Sequence, residues 1–165
     1  MNFEVYATGS FNKVEGCLLI QRYEVELECG KCGKKKNGLR VDNHRKVSHK
    51  ISSKKSASYN VTMSCECGTE INLKITEPED FIVVEDVNGE NPLSVHPVKK
   101  GRCHLSNLWS DGGVVTGINN VQLTLASTTK ERYYNVDISK RVVAEQGEVI
   151  PSFIEDFMLE IKQVN

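Results

Sequence analysis

Four of the six cysteines lie in two close pairs whose spacing is typical of metal ligands. The first pair forms a C-x-x-C motif and the second a C-x-C motif, with 32 residues between them. Each motif is followed by a glycine, which lets the backbone turn back close to a bound ion. Four thiolates from two turns can surround one tetrahedral Zn²⁺ ion. We therefore predict a single zinc site whose ligands are Cys29, Cys32, Cys65 and Cys67.

Four thiolates fill the coordination shell of zinc, so the predicted site is structural and has no position for a reactive water. The second motif is one residue shorter than a C-x-x-C pair, and His44, His49 or Cys17 stays open as a replacement ligand. Redox chemistry is the weaker interpretation, because reactive C-x-x-C thiols begin a helix and this motif follows a predicted strand. Transient handling of zinc or Cu(I) stays an alternative, since soft sulfur ligands select those ions.

Common catalytic motifs are absent from the sequence. It contains no G-x-x-x-x-G-K-[ST] for phosphate binding, no H-E-x-x-H and no G-x-S-x-G. We therefore expect no enzymatic activity. A zinc-stabilised protein-interaction module is the first interpretation, and we expect it to be a monomer.

Positive charge is concentrated between the two cysteine motifs. The stretch from Gly30 to Ser58 contains ten basic residues and one acidic residue, Asp42, although the net charge of the chain is only −1. Clustered lysines neutralise phosphates, which makes nucleic acid a candidate partner. The stretch has no interleaved aromatic residues for base stacking, and only Tyr59 lies at its edge. An acidic partner, or the acidic remainder of the chain, is at least as good an explanation, and nucleic acid ranks behind a protein partner.

Alternation of apolar and polar residues predicts the strands that must position the cysteines. Residues 23–29 alternate between a buried set and three glutamates and run directly into the first motif. Residues 59–63 lead into the second motif, and residues 71–75 lead out of it. Each motif is therefore expected at the tip of a hairpin. Short alternating runs separated by Gly, Asn and Pro turns predict a mainly β fold, either an antiparallel sandwich or an irregular barrel.

The acidic, proline-containing segment 76–80 predicts a boundary between two parts. Residues 1–78 are expected to form a zinc-binding β lobe, and residues 79–165 a second β lobe without metal ligands, packed together as one compact unit. Within the first lobe, residues 34–58 are expected to form a basic loop, because the segment 43–58 has almost nothing to bury.

Three features of the second part lead to further predictions. The apolar run 81–87 predicts a strand. The C-terminal run 153–161 fits a strand and, as the alternative, a short helix; we favour the strand. Trp109 is expected to anchor the core or a sheet edge, with a partner-binding patch as the alternative.

Composition and termini define the expected compartment. The 165 residues are 39% hydrophobic and 26% charged, which are ordinary values for a globular protein. The N-terminal residues do not resemble a signal peptide, and no run reaches the ~18 apolar residues of a membrane span. We therefore expect a soluble protein in the cytoplasm, with the nucleus as the alternative. Disulfides are rare in such reducing compartments, which favours metal binding by the paired cysteines.

Three stretches resemble the eukaryotic CXXC motif-containing zinc-binding protein family, an uncharacterised protein family. They are residues 23–33, residues 56–58 leading through a strand to Cys65 and Cys67, and residues 87–97. The resemblance implies a mostly β fold with two related lobes, of which only the first keeps the zinc ligands. The chain departs from the family in its shorter second motif, in the lysine-rich segment 34–55 and in a longer tail beyond Thr128.

Overall fold

A computed structural model describes residues 1–52, 55–139 and 152–165, with side chains for all of these except 49–52 and 55–56. Within the described residues every helix or strand assigned is a strand, which confirms the predicted mainly β class. The strands are β1 (Asn2–Asn12), β2 (Val14–Leu19), β3 (Arg22–Cys29), β4 (Lys35–Asp42), β5 (Val47–Ser52), β6 (Lys55–Tyr59), β7 (Val61–Ser64), β8 (Glu70–Thr76), β9 (Ile82–Val84), β10 (Leu93–Lys99), β11 (Arg102–Asp111), β12 (Gly113–Asn119), β13 (Leu123–Ser127), β14 (Arg132–Tyr133) and β15 (Phe153–Val164).

Most of the described strands belong to one large sheet that curls into a half-barrel. Its main order is β14-β13-β2-β10-β11-β1-β15; in addition β8 pairs with β11, β7 with β8 and β9 with β10. A second sheet has the order β12-β3-β4, and β5 and β6 form a third. The two predicted cysteine hairpins, β3–β4 and β7–β8, therefore belong to different sheets. None of the described residues forms a helix with the length and hydropathy needed to cross a membrane.

The alternation in β3 places one of its faces in the core. Tyr23, Val25 and Leu27 are almost completely buried, whereas the glutamates between them are only half-buried. These side chains belong to the same apolar cluster as residues of the large sheet, such as Val5 and Leu105. Because hydrophobic burial contributes roughly 25 cal/mol per Å², this shared core holds β3, and with it the first cysteine motif, firmly against the large sheet.

Strand pairing crosses the boundary predicted at residues 78 and 79. β1 and β8 both pair with β11, and β3 pairs with β12. The strands of residues 1–78 thus share sheets with strands of residues 79–165. The division into two lobes stays a prediction, and either range alone would leave backbone groups of these strands without their partners.

The described part of segment 34–58, where we expected a basic loop, contains three strands, and the first of them includes residues 39–41, whose sequence also suits the second arm of a hairpin. Residues 35–42 form β4, and β5 pairs with β6 as an antiparallel hairpin. Hydrophobic periodicity could not reveal this hairpin, because its described side chains are mostly exposed or half-buried; only Tyr59 is buried. Backbone hydrogen bonds form a strand pair without an apolar face, so the sequence carries little signal for it.

Two other strand predictions have different outcomes. The C-terminal strand is confirmed as β15, which pairs with β1 along most of its length. The predicted strand 81–87 is shorter, since only Ile82–Val84 is a strand. Phe81, Val83 and Val87 are each more than half exposed. The apolar run therefore does not lie on a buried sheet face. Its hydrophobicity led to the prediction of a longer strand than the structure contains.

Asn60 anchors the segment between β4 and β5 to β8 of the large sheet. Its buried side-chain amide Nδ2 donates to the carbonyl oxygens of Asp42, Asn43 and Arg45 at 2.9–3.3 Å, and its Oδ1 accepts from the backbone N–H of Ile75 at 2.8 Å. We expect Asn60→Ala to lower the free energy of unfolding by about 2–3 kcal/mol, because it leaves buried backbone groups without partners. Urea unfolding followed by circular dichroism measures this change.

The control for this prediction is Asn119→Ala. Asn119 is exposed and donates a single hydrogen bond to Glu26. Its replacement is expected to change the unfolding free energy by no more than about 0.5 kcal/mol. Equal effects of the two substitutions would contradict the anchoring role of Asn60.

Candidate metal centre

Cys29 and Cys32 lie at the tip of the β3–β4 hairpin. Cys29 is the last residue of β3 and is buried. Its backbone N–H donates to the carbonyl of Lys34, and its carbonyl accepts from the N–H of Gly33, both at 2.9 Å. Gly33 has a φ of 70°, a left-handed conformation that glycine adopts without steric cost. This tight turn is the one that the first motif and its glycine predicted.

Cys65 and Cys67 lie at the tip of the β7–β8 hairpin in a turn of similar construction. The backbone N–H of Cys65 donates to the carbonyl of Thr69, and the N–H of Gly68 donates to the carbonyl of Cys65, both at 2.8 Å. Gly68 has a φ of 85°. The shorter C-x-C motif thus still forms a closed turn with a glycine at its left-handed position, as the sequence predicted.

The four sulfur atoms of the two turns form one cluster. The Sγ atoms all lie within 4.8 Å of one another, and this is the group of potential metal ligands found among the described residues. Two pairs join the two turns: the Sγ atoms of Cys29 and Cys67 are 3.7 Å apart, and those of Cys32 and Cys65 are 3.6 Å apart. A Zn–S bond of about 2.3 Å implies sulfur atoms about 3.8 Å apart in a regular tetrahedron. The donor set and its spacing therefore fit a metal ion with tetrahedral thiolate coordination.

A glycine turn from the second half of the chain lies between the two cysteine turns. The carbonyl of Gly112 accepts a hydrogen bond of 3.0 Å from the N–H of Gly30 in the first turn. On its other side Gly112 is so close to β8 that an added Cβ would lie 2.0 Å from the carbonyl oxygen of Glu70. The turn between β11 and β12 thus contacts both cysteine hairpins and sets the distance between them.

Hydrogen bonds distribute the protons of the cluster unevenly. The backbone N–H groups of Cys32 and Lys31 lower the pKa of Cys29 to about 6. The hydroxyl of Thr69, whose Oγ1 lies 3.1 Å from the sulfur, lowers the pKa of Cys67. The N–H of Lys34 would lower the pKa of Cys32, but hydrogen bonding with the Cys65 thiol and burial outweigh it and raise that pKa to about 12. A metal ion must displace the remaining thiol protons to bind all four sulfurs.

An ion pair joins the two cysteine turns next to the sulfur atoms. The ammonium of Lys34 in the first turn contacts the carboxylate of Glu66 in the second. Both side chains are well exposed, so the pair contributes little stability by itself. It does show that the lysines beside the first motif have local acidic partners. Glu28 likewise lies opposite Lys35 in the β3–β4 register.

The cluster is open to solvent on one side. Cys29 is buried and Cys65 half-buried, whereas Cys32 and Cys67 are exposed. Beside the sulfur atoms lies a cavity of about 240 Å³ whose lining includes the apolar residues Leu27, Met63 and Ile71. Molecules in solution can therefore approach two of the four sulfurs directly.

The alternative ligands do not join this cluster where their side chains are described. Cys17 is fully buried in β2, opposite His96 of β10. His44 lies in an exposed turn, where its backbone N–H donates to the carboxylate of Asp42. The side chain of His49 lies outside the described residues. Sequence reasoning missed Gly112 and Thr69, because no local pattern shows that the turn after β11 lies against both cysteine hairpins.

Fold and site together define an all-β protein with a four-cysteine cluster that can bind a metal ion. No family model matches the chain. It is 26% identical over 171 aligned positions to "Uncharacterized protein ECU01_0250" of Encephalitozoon cuniculi (strain GB-M1), covering 98% of both chains.

Two solved structures share the fold over nearly the whole chain. One is the crystal structure of C1orf123, with a TM-score of 0.75 and 8% identity, covering 99% of this chain and 100% of the other. The second is a hypothetical protein from Plasmodium falciparum, with a TM-score of 0.70 and 11% identity, covering 98% and 99%. At these identities the likeness shows a common fold, and the interpretation of the site depends on its own geometry.

Proposed function

We propose that this chain is a non-catalytic zinc-binding protein in which one Zn²⁺ joins the tips of the β3–β4 and β7–β8 hairpins through Cys29, Cys32, Cys65 and Cys67. The observation that carries the proposal is the separation of 3.6 and 3.7 Å between sulfur atoms of the two turns. Soft thiolates in a tetrahedral arrangement favour zinc over the harder Mg²⁺ and Ca²⁺. Four thiolates close the coordination shell, so the role of the metal is structural.

The proposed biological role is a protein-interaction module, monomeric by itself and located in the cytoplasm or the nucleus. The cavity of about 240 Å³ lined by Cys29, Cys65 and apolar side chains supports the metal end of the molecule as the docking surface. Zinc would order this surface by fixing two hairpin tips that belong to different sheets. We expect no residue of the proposed site to have a catalytic role.

Elemental analysis of the purified protein tests the metal directly. We expect one zinc per chain, retained through gel filtration, and a loss of native circular dichroism when a strong chelator removes it, because structural zinc binding is coupled to folding. A metal content well below one zinc per chain after purification under reducing conditions would contradict the proposal. So would full retention of the folded spectrum and of unfolding stability after the zinc has been removed.

Metal handling is a second candidate, and the exposure of Cys32 and Cys67 favours it. An incoming thiolate ligand can reach these two sulfurs, so the ion could pass to an acceptor without unfolding. Exchange of bound zinc with isotopically labelled zinc measures this property. Exchange within minutes at neutral pH, with the fold retained, would favour metal handling, whereas exchange as slow as global unfolding would favour the structural role.

A further inference from the structure

Two adjoining cavities lie at one end of the large sheet, away from the cysteine cluster. One has a volume of about 450 Å³ and includes Lys46 and Tyr59 in its lining. The other has a volume of about 290 Å³ and includes Asn107 and Trp109. Lys74 and Thr76 contribute to both linings, so the two cavities form one groove that crosses the end of β8.

The groove contains a stacked pair of aromatic rings. Tyr59 and Trp109 lie nearly parallel, with an interplanar angle of 6° and ring centroids 5.8 Å apart. The ammonium of Lys74, opposite Trp109 in the β8–β11 register, lies 5.1 Å from the Tyr59 centroid and 5.5 Å from that of Trp109. Tyr59 is buried, whereas Trp109 is half-buried and keeps part of its surface exposed. This arrangement is the aromatic platform that was not visible in the sequence beside Tyr59.

The segment that begins beside this groove is rich in positive charge. The segment 43–58 contains five basic residues and no acidic residue. Its start, including the exposed Lys46, is fastened at the groove by Asn60. Two acidic residues also line the groove: Glu77 in the first cavity, and Glu4 in the second. Glu4 already accepts a hydrogen bond from Tyr6.

We propose that this groove binds single-stranded nucleic acid. Phosphates would contact Lys46 and Lys74, and a base would stack on Trp109. The amide of Asn107 is available in the second cavity as a polar group for a base edge. Lysines beside an aromatic stacking surface are how proteins hold single strands with little sequence preference. An acidic peptide offers the same charge but no flat base for Trp109, and is therefore the less favoured occupant.

Trp109 is the single tryptophan of the chain, so its fluorescence reports on this groove. The experiment titrates the full, zinc-loaded protein with oligouridylate of about ten nucleotides at low salt, with polyglutamate and inorganic polyphosphate as comparison polyanions. We expect saturable quenching by the oligonucleotide and an affinity that falls steeply as salt is added. Polyphosphate and polyglutamate are expected to bind at least about tenfold more weakly, because neither supplies a base for stacking.

Matched substitutions locate the binding site. Fluorescence anisotropy of a labelled oligonucleotide should show a loss of about fivefold or more for Trp109→Leu. For Lys74→Gln we expect weaker binding, with a salt slope reduced by about one. Lys100→Gln removes the same charge from the exposed turn between β10 and β11 and should leave binding unchanged. Circular dichroism and zinc content must be the same in all these variants, which separates loss of the groove from loss of the fold or of the metal site.

Three results would overturn the proposal. The first is the absence of quenching and anisotropy change at low salt. The second is equal binding of the oligonucleotide and the comparison polyanions, which would indicate an acidic polypeptide or simple charge attraction. The third is an equal loss of affinity for Lys74→Gln and Lys100→Gln. None of these results bears on the zinc proposal, because the groove shares no residue with the cysteine cluster.

Discussion

Replacing Cys67 with alanine is expected to abolish tight zinc binding and to lower the free energy of unfolding by about 4 kcal/mol when free zinc exceeds the dissociation constant of the native site a thousandfold. Cys67 lies 3.7 Å from Cys29 across the two hairpin tips, so its loss opens the proposed site on the side that joins the turns. The weak Lys34–Glu66 ion pair and the contacts of Gly112 would then remain to connect the two hairpin tips. Zinc content and urea unfolding, each with and without chelator, measure the two effects.

Cys17→Ala is the matched control for this experiment. Cys17 is fully buried in β2 and does not belong to the sulfur cluster. We expect this variant to keep one zinc per chain and to lose only about 1 kcal/mol from reduced packing. If Cys67→Ala keeps the zinc and the stability of the native protein, the four-thiolate site is wrong. If chelator destabilises Cys67→Ala as much as the native protein, the stabilising ion is bound elsewhere.

Gly112→Ala is expected to be the most damaging substitution of a residue that touches no metal. A Cβ at this position would overlap the carbonyl oxygen of Glu70 at 2.0 Å, and φ is 75°. The left-handed conformation costs a residue with a Cβ about 1–2 kcal/mol. Because the overlap is with backbone, β8 must move as well, and we expect a total loss of more than about 4 kcal/mol. Displacement of β8 would also separate the cysteine turns, so zinc affinity should fall although all four thiols remain.

Gly101→Ala separates the effect of φ from the effect of the overlap. Gly101 has a φ of 71°, but the nearest atom to an added Cβ is the carbonyl oxygen of Gly9 at 3.7 Å, an ordinary contact. We expect a loss of about 1–2 kcal/mol and unchanged zinc affinity. Thermal unfolding and a competition titration with a chromogenic chelator compare the two variants. Equal losses of stability, or unchanged zinc affinity in Gly112→Ala, would contradict the role of Gly112 as a spacer between the cysteine turns.

Most strands close to the cysteines were predictable because local signals agreed there. In β3, residues 23–29 alternate between core and solvent, and the C-x-x-C turn with its glycine follows directly. Alternation in the sequence likewise predicted β7 and β8 around the C-x-C turn, although in the structure β7 is only half-buried and β8 is buried at consecutive positions. The β5–β6 hairpin was not predicted, since the segment 43–58 is rich in Lys, Ser and His and offers few apolar residues. In the run 81–87, by contrast, the predicted strand was too long, because several of its apolar residues are exposed and do not belong to a buried sheet face.

The sequence by itself determined the candidate ligands, the two turns that hold them and the β class, because residue type, spacing and period-two alternation act over a few neighbouring residues. Only the tertiary structure decided which distant residues meet. It places Gly112 between the two cysteine turns. It also stacks Trp109 on Tyr59, which is 50 positions away along the chain, with the Lys74 ammonium over both rings. Both contacts depend on the pairing of β11 and β12 with strands from the first part of the chain. Such long-range pairing arises from the packing of the whole core, for which no short stretch of sequence carries a signal.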